Sequence, residues 1–460
     1  MTTLSFHGAA GTVTGSRSLL QSGEDSILID CGVFQGLKEL RQRNWVAPGF
    51  DPDSIRAVVL THAHIDHSGY LPRLVKLGYR GPIYATPATA DLAQLLLRDS
   101  AHIQEEDARH ANKKGYSKHQ PALPLFSSDD AEKAIRQIEV IDYNQWQKEG
   151  AFRFRFRHAG HIIGSGIVDV EVHEQEPPLK LLFSGDIGRY DAPLVPDPDS
   201  PGEPDVLVVE STYGNRRHPE DTIEDQLAEL LKAVERAKGT MLVASFAVGR
   251  AQQLIYLLDQ VMKRDDVPTL PIHLDSPMAI NATNIYRRYP EEHGLEDVVM
   301  RGGDNVIFGN NVYLHKTRDE SVRLNSLVGP RIIIASSGMM TGGRVLHHLR
   351  RLLPHRNNWI VLAGYQAPGT RGRRLRDGET KIRMHGRFVP VRARIAEISG
   401  LSAHADQAEI LRWLDGLTNK PKRIFVNHGE PSSSAALAMK LQSTLGVSCE
   451  VPEQGEAFEL

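Results

Sequence analysis

The sequence predicts an α/β protein of two domains, one inserted within the other, and three observations carry that prediction. Its 460 residues exceed what one ordinary core holds. Short apolar runs in the first 210 residues, and again in the last seventy, end in His, Asp or Glu beside small residues. From Ile223 onward, amphipathic helices alternate with short strands, the pattern of a parallel sheet with a core of its own. The expected division is therefore 1–210 for the first part of one domain, 211–390 for the insertion and 391–460 for the return.

In chain order, Leu4 to Leu20 reads as strand, Gly-rich turn and strand. It lacks both phosphate-loop spacings, and no helix follows, so a tight hairpin is expected rather than a nucleotide cradle. Ser26–Ile29 is a strand running into Asp30. Ile55–Leu60 is a short buried strand, and Tyr70–Leu77 has helical apolar spacing ended by Gly78. Between them lies Thr61-His62-Ala63-His64-Ile65-Asp66-His67, at a strand-to-helix loop. Carboxyl ends of strands are where an α/β sheet gathers ligands and catalytic groups.

Thr89–Lys114 is helical in pattern, with His102 and His110 read as solvated-face residues. Phe152–Arg157 alternates Phe and Arg with period two, a strand with one apolar and one wet face that delivers His158 and His161. Leu179–Phe183 leads to Asp186, and Asp205–Val209 to Glu210. Beyond the insertion, Ile395–Ile398 leads into Leu401-Ser402-Ala403-His404-Ala405-Asp406, and Arg423–Val426 into Asn427-His428-Gly429-Glu430. So many strand ends carrying ligand-type side chains point to one shared site at one sheet edge.

Charge is uneven although the formal total is only −3. Residues 211–390 hold 26 Lys and Arg against 19 Asp and Glu, which makes the insertion the basic part. From Arg344 to Arg394 there are thirteen cations and two acids, a candidate phosphate-facing stretch. Two cysteines, Cys31 and Cys449, make no disulfide framework and fit a reducing compartment. No apolar run approaches the ~20 residues of a membrane span, and no signal-peptide pattern opens the chain, so a soluble, cytoplasmic protein is expected.

A lone His at a strand end is more often structural than a ligand. Three imidazoles and a carboxylate within His62–His67 reverse that balance in favour of metal. Imidazoles with a few carboxylates favour zinc, with manganese or iron as alternatives. Two metals about 3.5–4 Å apart can hold a bridging hydroxide and clamp an in-line displacement at phosphorus. Metal-assisted hydrolysis is the chemistry these residue types suit.

Asp30, the HxHxDH run, His161, Asp186, Glu210 with STYG, the SAHAD stretch and the NHGE stretch together resemble the β-CASP group of the metallo-β-lactamase superfamily. The likeness extends through the insertion's SFAVGR, DSPMA, SSGMMTGGR and GTRGR segments. It implies a metallo-β-lactamase αββα sandwich with an inserted α/β β-CASP domain. It also implies a zinc-dependent endoribonuclease acting on single-stranded RNA by a dinuclear-zinc hydroxide mechanism, with a 5′-to-3′ exonuclease mode as a further option.

Carried over by position, the resemblance implies that His62, His64 and His161 hold one Zn2+, that Asp66, His67 and His428 hold a second, and that Asp186 bridges them, with Mn2+ the alternative metal. His158 is the competing candidate for the place of His161. Asp30 would orient a ligand imidazole, a role with a general physical basis. The catalytic set would be Asp186, His404, Glu210 and Asp66, with His404 contacting the scissile phosphate or giving a proton to the leaving oxygen and Glu210 holding its charge state. The resemblance also favours RNA over DNA, because His428 stands where DNA-processing relatives carry Val.

RNA contacts are expected from Arg250, Ser337, Gly338, Arg344, Thr370, Arg371, Arg373 and Arg374, each with a plain alternative as a solvated or turn residue. Single-stranded RNA is the expected partner, a second copy of the chain is another, and no membrane is expected. Two other classes compete: a catalytically silent RNA-binding subunit, and a small-molecule metallo-hydrolase, which would have no use for a basic insertion.

Overall fold

The computed structural model describes every residue except 116, 118, 175, 220, 221, 294–310, 365 and 399. The chain divides into two compact units, Met1–Arg217 with His404–Leu460, and His218–Ala403.

Two seven-stranded sheets make up the first unit among the described residues. One runs in the order Ala457–Glu459, Thr2–Phe6, Ser18–Ser22, Asp25–Ile29, Ala57–Val59, Ile83–Ala85, Ile138–Val140. The other runs Ser448–Glu450, Arg423–Asn427, Val206–Glu210, Leu179–Phe183, Gly166–Val172, Phe152–His158, Gln147–Glu149. Side chains alternate across a strand. Phe152, Phe154 and Phe156 therefore all face inward, where they join Phe6, Ile27, Val59, Val168 and Phe425 in an apolar layer drawn from both sheets. Each is fully buried, a gain of roughly 1.5–3 kcal/mol apiece. The intervening Arg153 and Arg155 face the wet side and pair with their cross-strand partners Glu171 and Asp169 at 3.3 and 2.8 Å.

On the outer face of the second sheet, Leu182, Leu207, Val209 and Val426 pack against Ile410 and Trp413 of the helix Gln407–Leu414 and Leu437 and Leu441 of Pro431–Leu445. Both helices start at strand-end residues. Asp406 caps the first with a reciprocal pair to Glu409, and Pro431 opens the second. The result is the expected αββα sandwich; Thr2–Phe6 does pair antiparallel with Ser18–Ser22, but residues 7–17 join them, so the hairpin is not the tight one expected.

In the second unit six described strands run parallel, in the order Val312–Leu314, Ile272–Leu274, Arg331–Ala335, Thr240–Ala244, Trp359–Leu362, Arg394–Glu397. Helices cover both faces. Leu227, Leu231, Leu254 and Leu258 pack on one, and Val345, Leu349 and Leu375 on the other. A two-stranded ribbon, Lys381–Met384 and Arg387–Pro390, joins the latter layer through Ile382, Met384 and Val389.

The expected boundaries differ from this division. The sequence pattern places Arg394–Glu397 in the returning first domain, yet it pairs in parallel with Trp359–Leu362, and Ile398 and Leu401 enter the second unit's core. A four-residue strand carries no sequence signal of which sheet it joins, so pairing decides. Residues 211–217 stay with the first unit, where Tyr213 bridges Asp406. Among the described residues no helix is long and apolar enough to cross a membrane.

Candidate metal centre

Five strand ends of the first unit converge on one cluster, Phe152–His158 delivering His161. Ala57–Val59 delivers His62 and His64, followed by the single helical turn Ile65–Ser68 with Asp66 and His67. This loop is laced to the segment after Asp30: Cys31 N–H donates to His67 O at 2.7 Å and Val33 N–H to Ile65 O at 3.1 Å. Only glycine fits at position 32, since a Cβ there would stand 1.6 Å from Asp66 O. Leu179–Phe183 delivers Asp186, Val206–Glu210 ends in Glu210 itself, and Arg423–Asn427 delivers His428.

Two groups of ligand atoms result. His62, His64, His161 and Asp186 form the first, and Asp66, His67 and His428 the second. In the first, His64 Nδ1 lies 3.1 Å from His62 Nε2 and 3.2 Å from His161 Nε2. In the second, His67 Nε2 lies 3.1 Å from His428 Nε2, which is 3.9 Å from Asp66 Oδ2. Asp186 stands between the two. Its Oδ2 is 3.4 Å from His62 Nε2 and 3.5 Å from His161 Nε2, while Oδ1 is 3.3 Å from His67 Nε2 and 3.5 Å from His428 Nδ1.

The fit to divalent cations can be read from what these groups lack. Asp186 Oδ1, which faces both His67 and His428, is buried with no hydrogen bond to the protein. A buried acceptor left so costs about 1–3 kcal/mol, more when charged. Burial, and then neighbouring imidazoles, push His62, His64 and His161 down from the usual histidine range, which favours their neutral form. Burial opposes the charge of Asp186, but the surrounding imidazoles, His428 foremost, hold its carboxyl well below the usual range. Convergent neutral imidazoles around an ionised carboxylate are a cation's donor set.

Asp30 anchors the cluster from behind. It sits at a positive φ of 61°, costly for a residue with a Cβ, and accepts from Thr61 N–H at 2.8 Å, Thr61 Oγ1–H at 2.9 Å and His67 Nδ1 at 2.7 Å. Donation from Nδ1 leaves His67 Nε2 facing the second group. Burial disfavours charge on His67, yet Asp186 and Asp30 raise it well above the ordinary value in the metal-free chain.

Beside the first group, His404 Nδ1 lies 3.0 Å from Glu210 Oε1 and 3.9 Å from Asp186 Oδ2, and its ring centroid is 4.5 Å from that of His161. Glu210 is itself pinned, accepting the backbone N–H of Ile187 at 2.9 Å and of Thr212 at 3.1 Å. Burial works against the imidazolium of His404, but the Glu210 and Asp186 carboxylates outweigh it and hold the ring up at about 9. Its side chain is 21 % exposed, against 1–2 % for His161 and His67.

His161 joins the cluster and His158 does not: the His158 ring lies against Tyr143 with centroids 3.8 Å apart, and its backbone N–H donates to Asp199. Sequence reasoning passed over three supporting residues. Thr61 links Asp30 to the loop, Ser184 Oγ accepts from Glu210 N–H at 3.0 Å, and Thr212 Oγ1 lies 3.2 Å from His428 Nδ1. The only signal each carries is a small polar residue at a strand end.

The residues expected to touch RNA all lie in the second unit, where most are engaged with the protein. Arg344 donates to Asp275 at 2.6 Å and to the carbonyls of His315 and Lys316. Arg371 donates to three backbone carbonyls, Arg373 pairs with Asp377, and Arg374 pairs with Glu379. Thr370 caps a helix, Ser337 accepts from Thr341 N–H, Gly338 packs under Phe246, and Arg250 is buried at a helix start. Each therefore has a part in folding, whatever else it does.

Three family models match this chain: the metallo-β-lactamase superfamily over residues 11–243, the Beta-Casp domain over 251–375, and the RNA specificity domain of Zn-dependent metallo-hydrolases over 389–452. The chain belongs to the β-CASP group of the metallo-β-lactamase superfamily. Among relatives of this β-CASP protein, Ribonuclease TTHA0252 of Thermus thermophilus is 36 % identical over 98 % of both chains. An RNase J-like protein of Methanocaldococcus jannaschii is 31 % identical over 99 % of each. Transcription termination factor FttA of Cenarchaeum symbiosum is 30 % identical over 98 % of this chain and 70 % of its own length. A crystal structure of a protein of unknown function from Enterococcus faecalis shares the fold, with a TM-score of 0.55 at 15 % identity and full coverage of both chains.

Proposed function

We propose that this protein is a metal-dependent endoribonuclease that hydrolyses phosphodiester bonds of single-stranded RNA. One observation carries the reading: Asp186 turns one carboxylate oxygen to each of two imidazole groups, with the His404–Glu210 pair alongside. The two ribonuclease-named relatives that span nearly the whole chain support the choice of substrate class.

In this reading His62, His64 and His161 hold one cation, Asp66, His67 and His428 hold the other, and Asp186 serves both. The imidazole-rich set favours zinc, with manganese the alternative. Bound there, the cations supply Lewis-acid polarisation of the phosphodiester and activation of the attacking water. The chain's own groups do the rest. Asp30 fixes the tautomer of His67. Glu210 holds the imidazolium of His404, whose outer N–H gives its proton to the leaving 3′ oxygen, so that the products carry 5′-phosphate and 3′-hydroxyl ends.

The test is direct. Labelled single-stranded RNA is incubated with wild type and with Asp186→Ala, with and without a chelator. Cleavage is expected only in untreated wild type, and intact RNA in every tube would sink the proposal. Metal analysis of wild type at saturation is expected to give two zinc ions per chain; one ion would leave a metal nuclease but remove the dinuclear arrangement.

A further inference from the structure

The arginines that the sequence pattern singled out are largely spent on the protein itself, which raises the question of which cations of the second unit remain free. Arg373 and Arg374, in the helix Arg371–Arg376, pair with Asp377 and Glu379, the two acids between that helix and the ribbon. From Lys381 to Arg394 there follow five cations and no acid. The helix therefore pairs with both acids of this stretch.

The ribbon itself is two-sided. His385 and Gly386 form its two-residue turn, both at positive φ, 45° and 80°, as the twist of a tight hairpin requires. Ile382 pairs with Val389 and Met384 with Arg387, while Lys381 pairs with Pro390 and Arg383 with Phe388. Ile382, Met384 and Val389 are buried in the core, so Lys381, Arg383 and Phe388 share the opposite, exposed face, and Arg387 is exposed at the tip. Phe388 is 62 % exposed, with Lys381 Nζ 5.4 Å from its ring centroid. Among the described residues, Lys381, Arg383 and Arg387 have no ion pair.

We infer that the outer face of the ribbon Lys381–Pro390 is a docking surface for single-stranded RNA, with Lys381 and Arg383 on successive phosphates and a base stacked on Phe388. The inference rests on the ribonuclease reading and adds a binding surface to it. Uncompensated cations attract a polyanion, and an exposed ring set among them gives an unpaired base its partner, the combination that single-strand binders use. A duplex keeps its bases stacked within itself, so the aromatic selects single strands. The buried apolar face holds the ribbon to the core, so the surface is preformed.

The experiment uses the full chain, chelator-treated to prevent cleavage, and a dye-labelled unstructured 20-nucleotide RNA followed by fluorescence anisotropy across a salt series. In Lys381→Ala/Arg383→Ala the slope of log affinity against log salt is expected to become shallower by about 1.4, two cations at ~0.7 each. Phe388→Ala is expected to lose about fivefold or more in affinity for the single strand, and Phe388→Tyr to recover it. Loss of the same size on a blunt RNA duplex would overturn the stacking role. Wild-type affinity and slope in the double variant, with wild-type cleavage intact, would overturn this inference while leaving the ribonuclease reading standing. Wild type that neither binds nor cuts RNA would overturn both. Because all these side chains are exposed, the variants are expected to melt with wild type.

Discussion

Glu210 Oε1 lies 3.0 Å from Nδ1 of His404, a residue 194 positions further along the chain, and the same oxygen accepts the backbone N–H of Ile187. The carboxylate cannot swing away, so the imidazole is held at one angle and, with Asp186 adding its charge, at one protonation state.

That pairing predicts a pH effect with a definite sign. The folded pKa of His404 is raised, to about 9 in the metal-free chain. Its charge therefore stabilises the fold fully below the ordinary histidine value of about 6.5 and ceases to do so as pH rises through about 9. In Glu210→Gln the transition should move to lower pH. NMR titration of the imidazoles in metal-free protein checks this, and an unmoved His404 resonance would show that Glu210 does not set its charge.

Removing the imidazole should separate chemistry from metal binding. His404→Ala is expected to lower kcat by roughly 10²–10⁴-fold, the usual worth of a positioned proton donor, with metal content unchanged. Single-turnover cleavage with parallel metal analysis tests both halves. Equal cleavage by the variant would remove His404 from the reaction.

Asp30 reaches the cluster through Thr61 and, most directly, through His67 Nδ1. Asp30→Asn keeps the shape but weakens the bond that orients the ring, and metal affinity should fall about 10–100-fold. A chelator-competition titration reads this, and circular dichroism distinguishes it from unfolding.

Glycine at 429 is a packing requirement next to His428. A Cβ there would meet Ser211 Oγ at 2.2 Å, Ser434 Oγ at 2.7 Å and Ser211 O at 2.8 Å. Gly429→Ala should destabilise by about 1–3 kcal/mol and lower the melting temperature, because one of those atoms is backbone and cannot turn aside.

In the second unit, Asp275 is fully buried and accepts from Arg344 at 2.6 Å, His348 at 2.7 Å and Ser321 at 2.5 Å. Burial opposes its ionisation, but the hydrogen bonds from His348, Ser321 and Arg344 prevail and hold it below the usual carboxylate range. Its contribution is thus complete above the unfolded pKa near 3.9 and is lost as pH falls through the lower folded value. Asp275→Ala should cost about 3–5 kcal/mol in urea unfolding, since it leaves a cation without its buried partner. Arg344→Ala should act mainly on stability, with RNA affinity changing little.

Much of the centre could be read from the chain alone. Three imidazoles and a carboxylate within His62–His67 have no common use but a cation, and strand ends at Asp30, Asp186, Glu210 and His428 lie where an α/β sheet collects its chemistry. Those features are local, and local patterns survive in one dimension. What needed the tertiary structure was every choice among equals. His161 and His158 stand three positions apart with similar surroundings, and only folding turns one towards His64 and the other onto Tyr143. Arg394–Glu397 could have joined either sheet until Trp359–Leu362 paired with it. Arg344, Arg373 and Arg374 looked free for phosphate because a sequence records charge but not the neighbour that neutralises it; Asp275, Asp377 and Glu379 are those neighbours, whereas Lys381 and Arg383 share a ribbon face with no acid paired to them.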